Sequence, residues 1–140
     1  IYDSGNYADI FERDLVEAET RIIISSPQIT QDKIERMLYV TKQRVEAGCN
    51  ITVITLNPEE TIFGNSSYNY EMIKQMEEAG VNVIVKDEVE EHFAIIDDEL
   101  VWHGGMNLLG KEDAWDNLMR IKSAPVAEEL LELSLGCLEK

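Results

Sequence analysis

"EEHFAIIDDELVWHGGMN", residues 90–107, decides how this chain is read. Two short runs, "HFAIID" and "LVWHG", are separated only by Asp98 and Glu99, which is hairpin spacing, and a Gly-Gly-x-Asn turn follows. With Asp98 and Glu99 as a two-residue loop, Asp97 falls opposite Leu100 and Ala94 opposite His103. Side chains alternate faces along a strand, and opposed residues share a face. That register puts His92, Ala94 and His103 on one side, with Glu90 joining them if its strand reaches that far. Phe93, Ile95 and Asp97 point to the other side. A Glu-His-His cluster beside a glycine turn has groups suited to proton transfer. The alternatives are purely structural histidines, or a divalent metal held by Glu90, His92 and His103. The main reading assigns the site no metal and no cofactor.

Upstream of the hairpin the pattern is a different one. Tyr7, Phe11, Leu15 and Ala18 recur at helical spacing, with Asp3 or Ser4 as the expected cap. "RIIIS", residues 21–25, is a β-branched run that predicts a buried strand. A second helix is expected after "SSP", capped by Thr30, with Ile34, Leu38, Thr41 and Val45 on one face and Gly48 at its end. Ser26 is the expected cap of that helix as well, and Ser25 stands where ligands of α/β sheets bind. "ITVIT" from Ile51 is a second strand, and the polar stretch 56–69 leads to a helix carrying Met72, Ile73, Met76 and Ala79 up to Gly80. "VNVIVK" is a third strand, "NLMRIK" follows the hairpin, and Pro125 opens a last helix running to Leu138. This βαβαβ rhythm followed by a hairpin predicts an α/β fold: a mixed, mainly parallel sheet with helices on both faces.

The 140 residues suit one domain, residues 1–140, with no repeat or linker. The chain opens on Ile1 without a signal sequence, which predicts a domain excised from a longer protein. No apolar run is long enough for a membrane helix. Twelve Lys and Arg face twenty-eight Asp and Glu, a net charge of -16. Nucleic-acid affinity comes largely from neutralising phosphates, so contact with DNA or RNA is expected through neighbouring domains instead. Cys49 and Cys137 show no metal or redox spacing, which predicts reduced thiols that pack as small apolar groups in a cytoplasmic protein. Trp102 and Trp115 are both expected in the core.

The spacing of Asp97, Gly104, Gly105 and Asn107 resembles the phospholipase D superfamily, whose motif runs His-x-Lys-x4-Asp, six residues, then Gly-(Gly/Ser)-x-Asn. In that register Glu90 stands at the histidine position and His92 at the lysine position. The βαβαβ half followed by the hairpin also resembles one phospholipase D half-domain, so the resemblance covers nearly the whole chain. "ISSPQIT" and "SAPVAEELL" look like the single-copy domains fused to bacterial helicase-like proteins.

The resemblance implies a phosphohistidine mechanism in which histidine attacks phosphorus. A second copy supplies the acid, and the lysines hold the phosphate oxygens. It also implies a homodimer, because this chain holds one copy of the motif. Gly104 and Gly105 would lie on the phosphate side with Asn107, Asp97 would be structural, and Asp116 and Asn117 would form a polar pair before the last strand.

Glu90 opposes that chemistry. A carboxylate about 4 Å from a phosphate oxygen is repelled by roughly 4 kcal/mol at an effective dielectric near 20, and it cannot form the phosphoramidate link. The expected function is therefore a phospholipase D-like domain of a nucleic-acid-processing, helicase-like protein. Its phosphodiesterase activity would be lost or weakened, leaving an assembly or binding role. The alternative is an active phosphodiesterase or nuclease using His92, with His103 and Asn107 in support.

Overall fold

The computed structural model describes residues 1–60, 66–112 and 115–135. The first expected run forms α1, Ala8–Glu17, which buries Phe11 and Leu15. Its start is shaped by a turn rather than by a capping side chain. The Asp3 carbonyl accepts the N–H groups of Asn6 and Tyr7, and the Asn6 side chain accepts the Asp3 N–H. Tyr2–Asp3 forms a two-residue strand, β1, too short to leave a periodic signal.

β2, Arg21–Ser25, is buried along nearly its whole length. α2, Gln31–Glu46, buries Ile34, Met37 and Thr41, and the Thr41 hydroxyl is satisfied by the Met37 carbonyl. Thr30 stands at the N-cap position, but its hydroxyl bonds the Asp32 carboxylate and no helix N–H. Gly48 takes the left-handed conformation (φ 95°) that ends α2 without a Cβ penalty. β3, Asn50–Leu56, α3, Ser66–Glu78, and β4, Asn82–Lys86, complete the βαβαβ half. The hairpin strands are β5, His92–Ile96, and β6, Leu100–Gly104, followed by β7, Asn117–Lys122, and α4, Ala124–Leu135.

The strands form one seven-stranded sheet in the order β1-β7-β6-β5-β2-β3-β4. It is mixed, as expected, but the parallel part is confined to β2, β3 and β4. Every other pairing is antiparallel, so the sheet is less parallel than the βαβαβ rhythm suggested.

Helices cover both faces. α1, α2 and α3 pack Phe11, Leu15, Ile34, Met37, Met72 and Met76 against Ile22, Ile24, Val53, Ala94 and Trp102. Among the described residues α4 covers the other face, setting Ala127 and Leu130 on Ile23, Ile54, Phe93, Ile95 and Val101. Cys49 packs in the first core as a small apolar group, whereas Cys137 and Leu138 lie outside the described residues. Trp102 is buried as expected, and Trp115 is not: it is 93% exposed. Among the described residues no helix is long and apolar enough to cross a membrane.

Candidate functional site

The hairpin turns through three residues, 97–99, instead of two. Asp97 and Asp98 both take left-handed backbone (φ 54° and 61°), which aspartate tolerates better than most residues. Asp97 leaves the strand because it is tied elsewhere. Its Oδ1 accepts the N–H groups of Thr20 at 2.8 Å and Arg21 at 3.2 Å and the Thr20 hydroxyl at 3.0 Å. Its Oδ2 accepts the Glu19 N–H at 3.1 Å, and its own N–H donates to the Arg21 carbonyl. Burial works to raise the Asp97 pKa, but the N–H groups of Thr20, Glu19 and Arg21 outweigh it and hold the carboxyl below its ordinary range.

That loop sets the register one residue away from expectation: Ile96 opposes Leu100, Phe93 opposes His103, and His92 opposes Gly104. A one-residue shift moves every side chain of one strand to the other face relative to its partner. His92 therefore shares a face with Ala94 and Trp102, toward α1–α3, and His103 shares one with Phe93 and Val101, toward α4. The expected pairing of the two histidines on one face is corrected by this register.

Glu90 is separated from His92 as well. β5 begins at His92, and Glu90 lines a cleft with Glu91, Ser25, Lys86, Leu133 and Ser134, on the α4 side. There the Ser25 hydroxyl donates to the Glu91 carbonyl, Lys86 donates to the Ser134 carbonyl, and His103 Nε2 lies 3.2 Å from the Glu91 carboxylate. The Glu90-His92-His103 metal alternative fails on the same geometry. Among the described residues no group of three or more His, Cys, Asp or Glu is placed to hold a metal.

A second cleft, of about 410 Å³, opens where the Gly-Gly-x-Asn turn meets the loop after β2. Gln28, Gly105, Asn107, Lys111, Glu112, Trp115 and Asp116 line it. Asn107 Oδ1 accepts the Gln28 N–H at 3.1 Å, and the Thr30 N–H donates to the Leu109 carbonyl. Ser26 does not cap α2: its hydroxyl donates to the Gln28 carbonyl and accepts the Leu109 N–H. Gly104 is required by close approach of backbone, whereas Gly105 faces a side chain that can move aside. A Cβ on Gly104 would collide with the Asn117 carbonyl, and one on Gly105 would lie 2.7 Å from the Asp116 carboxylate. Asp116 thus lies over the turn, while Asn117 begins β7. Next to this turn His92 carries an Nδ1 that is buried and finds no hydrogen-bond partner among the described residues.

Sequence reasoning missed most of this cleft. Lys111 and Glu112 belong to no motif, Gln28 lies in "ISSPQIT" but had no site role assigned, and Trp115 was expected in the core. The signals that did point here were Gly105 and Asn107 of the motif and Asp116, placed close before a strand that pairs with the glycine turn.

A family model described as "Cardiolipin synthase, PLD-like domain" matches residues 11–133. Among solved structures, the chain is similar to a phospholipase D family member, Nuc from Salmonella typhimurium. The TM-score is 0.69 at 16% identity, covering 90% of this chain and 82% of that one. It is also similar to NucT from Helicobacter pylori, with a TM-score of 0.68 at 17% identity, covering 96% and 89%. TrmBL2, an archaeal chromatin protein, superposes with a TM-score of 0.68 at 15% identity; all of this chain spans 49% of that one. At such identities the likeness is one of fold. No curated protein sequence matches the chain.

Proposed function

From the premise that this chain belongs to the family of phospholipase D-like domains, we propose that it is one in which phosphodiesterase chemistry is lost or weakened and an assembly or binding role remains. One observation carries the reading: Glu90 stands at the histidine position, and the two histidines of the chain lie on opposite faces of the sheet. The family's acid comes from a second copy, so the separation of the histidines bears on one route: His92 as nucleophile with His103 in support would have to bring both to one phosphorus atom. His103 is instead turned toward α4 and paired with Glu91, which lines an acidic cleft together with Glu90.

The larger protein we infer is nucleic-acid-processing and helicase-like, which the resemblance of "ISSPQIT" and "SAPVAEELL" supports. With a net charge of -16, nucleic acid is brought to this domain by neighbouring domains rather than by its own phosphate contacts. Assembly as a homodimer is supported by the thin cover on the α4 face. Met119 and Ile121 of β7 are 47% and 37% exposed there, and Leu133 of α4 is exposed too. Sedimentation at micromolar concentration is expected to show a dimer.

The activity is tested on single-stranded DNA and bis-p-nitrophenyl phosphate, with and without EDTA. Turnover at the level of a His92→Ala control is the expected result. EDTA-resistant turnover that His92→Ala abolishes would overturn the reading in favour of an active phosphodiesterase using His92. One observation favours that second reading: the buried Nδ1 of His92 has no partner among the described residues, and a catalytic role is one reason for such an atom.

A further inference from the structure

The cleft beside the glycine turn holds polar groups that no contact among the described residues uses. Lys111 and Asp116 pair with nothing among the described residues, and the Gln28 side-chain amide and Asn107 Nδ2 are equally uncommitted. Glu112 differs, because it is tied to Lys33 at 3.2 Å and Lys33 in turn donates to the Tyr7 hydroxyl. At the rim stands Trp115, a residue 93% exposed. A single exposed apolar side chain is ordinary on a protein surface. A flat ring beside a carboxylate, an ammonium and two amides in one open cleft has a specific complement. It fits a planar heterocycle bearing both donors and acceptors on its edge.

We infer that this cleft binds a nucleobase, stacked on Trp115 and read at its edge by Asp116 and Lys111, with guanine preferred. Guanine offers two adjacent N–H groups to one carboxylate and a carbonyl oxygen to a neighbouring ammonium, whereas adenine and cytosine each offer a single amino group on that edge. Stacking on an aromatic ring is how unpaired bases are commonly held, and edge contacts add the selectivity. The surrounding acidity is compatible with this mode, because a base is neutral and the phosphate can remain outside the cleft. The inference rests on the proposed role beside nucleic acid and names what the domain itself takes from it.

The chain's two tryptophans make the test direct. Trp102 Nε1–H is buried and bonded to Asp14, and Trp115 is at the cleft, so the two indole N–H resonances serve as reference and reporter. Guanosine 5′-monophosphate is titrated in parallel with adenosine 5′-monophosphate and ribose 5-phosphate. A saturable shift of the Trp115 signal with guanosine monophosphate is expected, with Trp102 unmoved and no response to ribose 5-phosphate. Asp116→Asn is expected to weaken guanosine monophosphate binding about tenfold and adenosine monophosphate binding less. Affinity should change little with salt, unlike that of phosphate-neutralising sites. A Trp115 signal that stays still, or that responds equally to ribose 5-phosphate, overturns the inference. None of the three ligands contains a phosphodiester, so the outcome is independent of whether the domain hydrolyses one.

Discussion

Arg120→Ala is expected to destabilise the domain by about 3–5 kcal/mol, the range for stripping a partner from a buried charge. Asp14 on α1 is only 3% exposed. Its carboxylate receives a two-pronged pair of bonds from Arg120, Nε and a terminal nitrogen both at 2.8 Å, and a third from Trp102 Nε1 at 2.8 Å. Trp102 lies between Tyr2, Phe11 and the Arg120 guanidinium, so one cluster ties α1, β1, β6 and β7 together. Removing the guanidinium leaves a carboxylate buried with one neutral donor, and it must either protonate or draw water into the core. At roughly 2–4 °C per kcal/mol for a domain near this size, the melting temperature should fall by about 10 °C or more. Asp14→Asn in the Arg120→Met background keeps an acceptor for Trp102 and removes the orphaned charge, so it should recover much of the loss. Chemical denaturation of the three variants checks this. A cost below about 1 kcal/mol for Arg120→Ala would show that Asp14 is solvated after all.

The same cluster shows where sequence reading stops. β2 and β3 were legible because β-branched runs bounded by turn residues have few alternatives. The ends of α2 and α3 were legible because Gly48 and Gly80 supply positive φ. These are local properties. Asp14 and Arg120 are separated by 106 positions, and nothing in either neighbourhood announces the other. The hairpin register failed for a related reason. A two-residue acidic turn was a sound local expectation, but Asp97 is held by residues 19–21, and that tie sets the loop at three residues. The error of one residue reached the candidate site at once, since it moved His103 to the opposite face from His92. Trp115 was misplaced because a tryptophan is usually buried, and only the fold shows that the stretch before β7 runs over the outside of the glycine turn.

Asp97→Ala is expected to cost about 3 kcal/mol at neutral pH, at the upper end for hydrogen bonds to a charged acceptor. The substitution removes the shared acceptor of the Glu19, Thr20 and Arg21 N–H groups, leaving the part-buried Arg21 N–H hardest for water to satisfy, and it places alanine in a left-handed conformation that suits it poorly. Asp97→Asn keeps one acceptor oxygen and the backbone tolerance, so it should cost less than half as much. The pH dependence has a definite sign. The folded pKa of Asp97 lies below its unfolded value, so its contribution is complete above the unfolded carboxylate range and disappears as pH falls through the folded value. The gap between wild type and Asp97→Ala should therefore be full at pH 7 and narrow in acid. A gap independent of pH down to strong acid would mean that the charge of Asp97 contributes nothing.

The register itself should survive the substitution. Slipping to a two-residue loop would move Trp102 and Val101 out of the cores they fill and exchange their faces, at a cost well above that of one lost anchor. Nuclear Overhauser contacts between Phe93 and His103 across the β5–β6 pair should thus persist in Asp97→Ala. If they are replaced by contacts between Ala94 and His103, the Asp97 anchor alone keeps the two histidines apart. The separation on which the loss of phosphodiesterase chemistry is argued would then depend on one carboxylate.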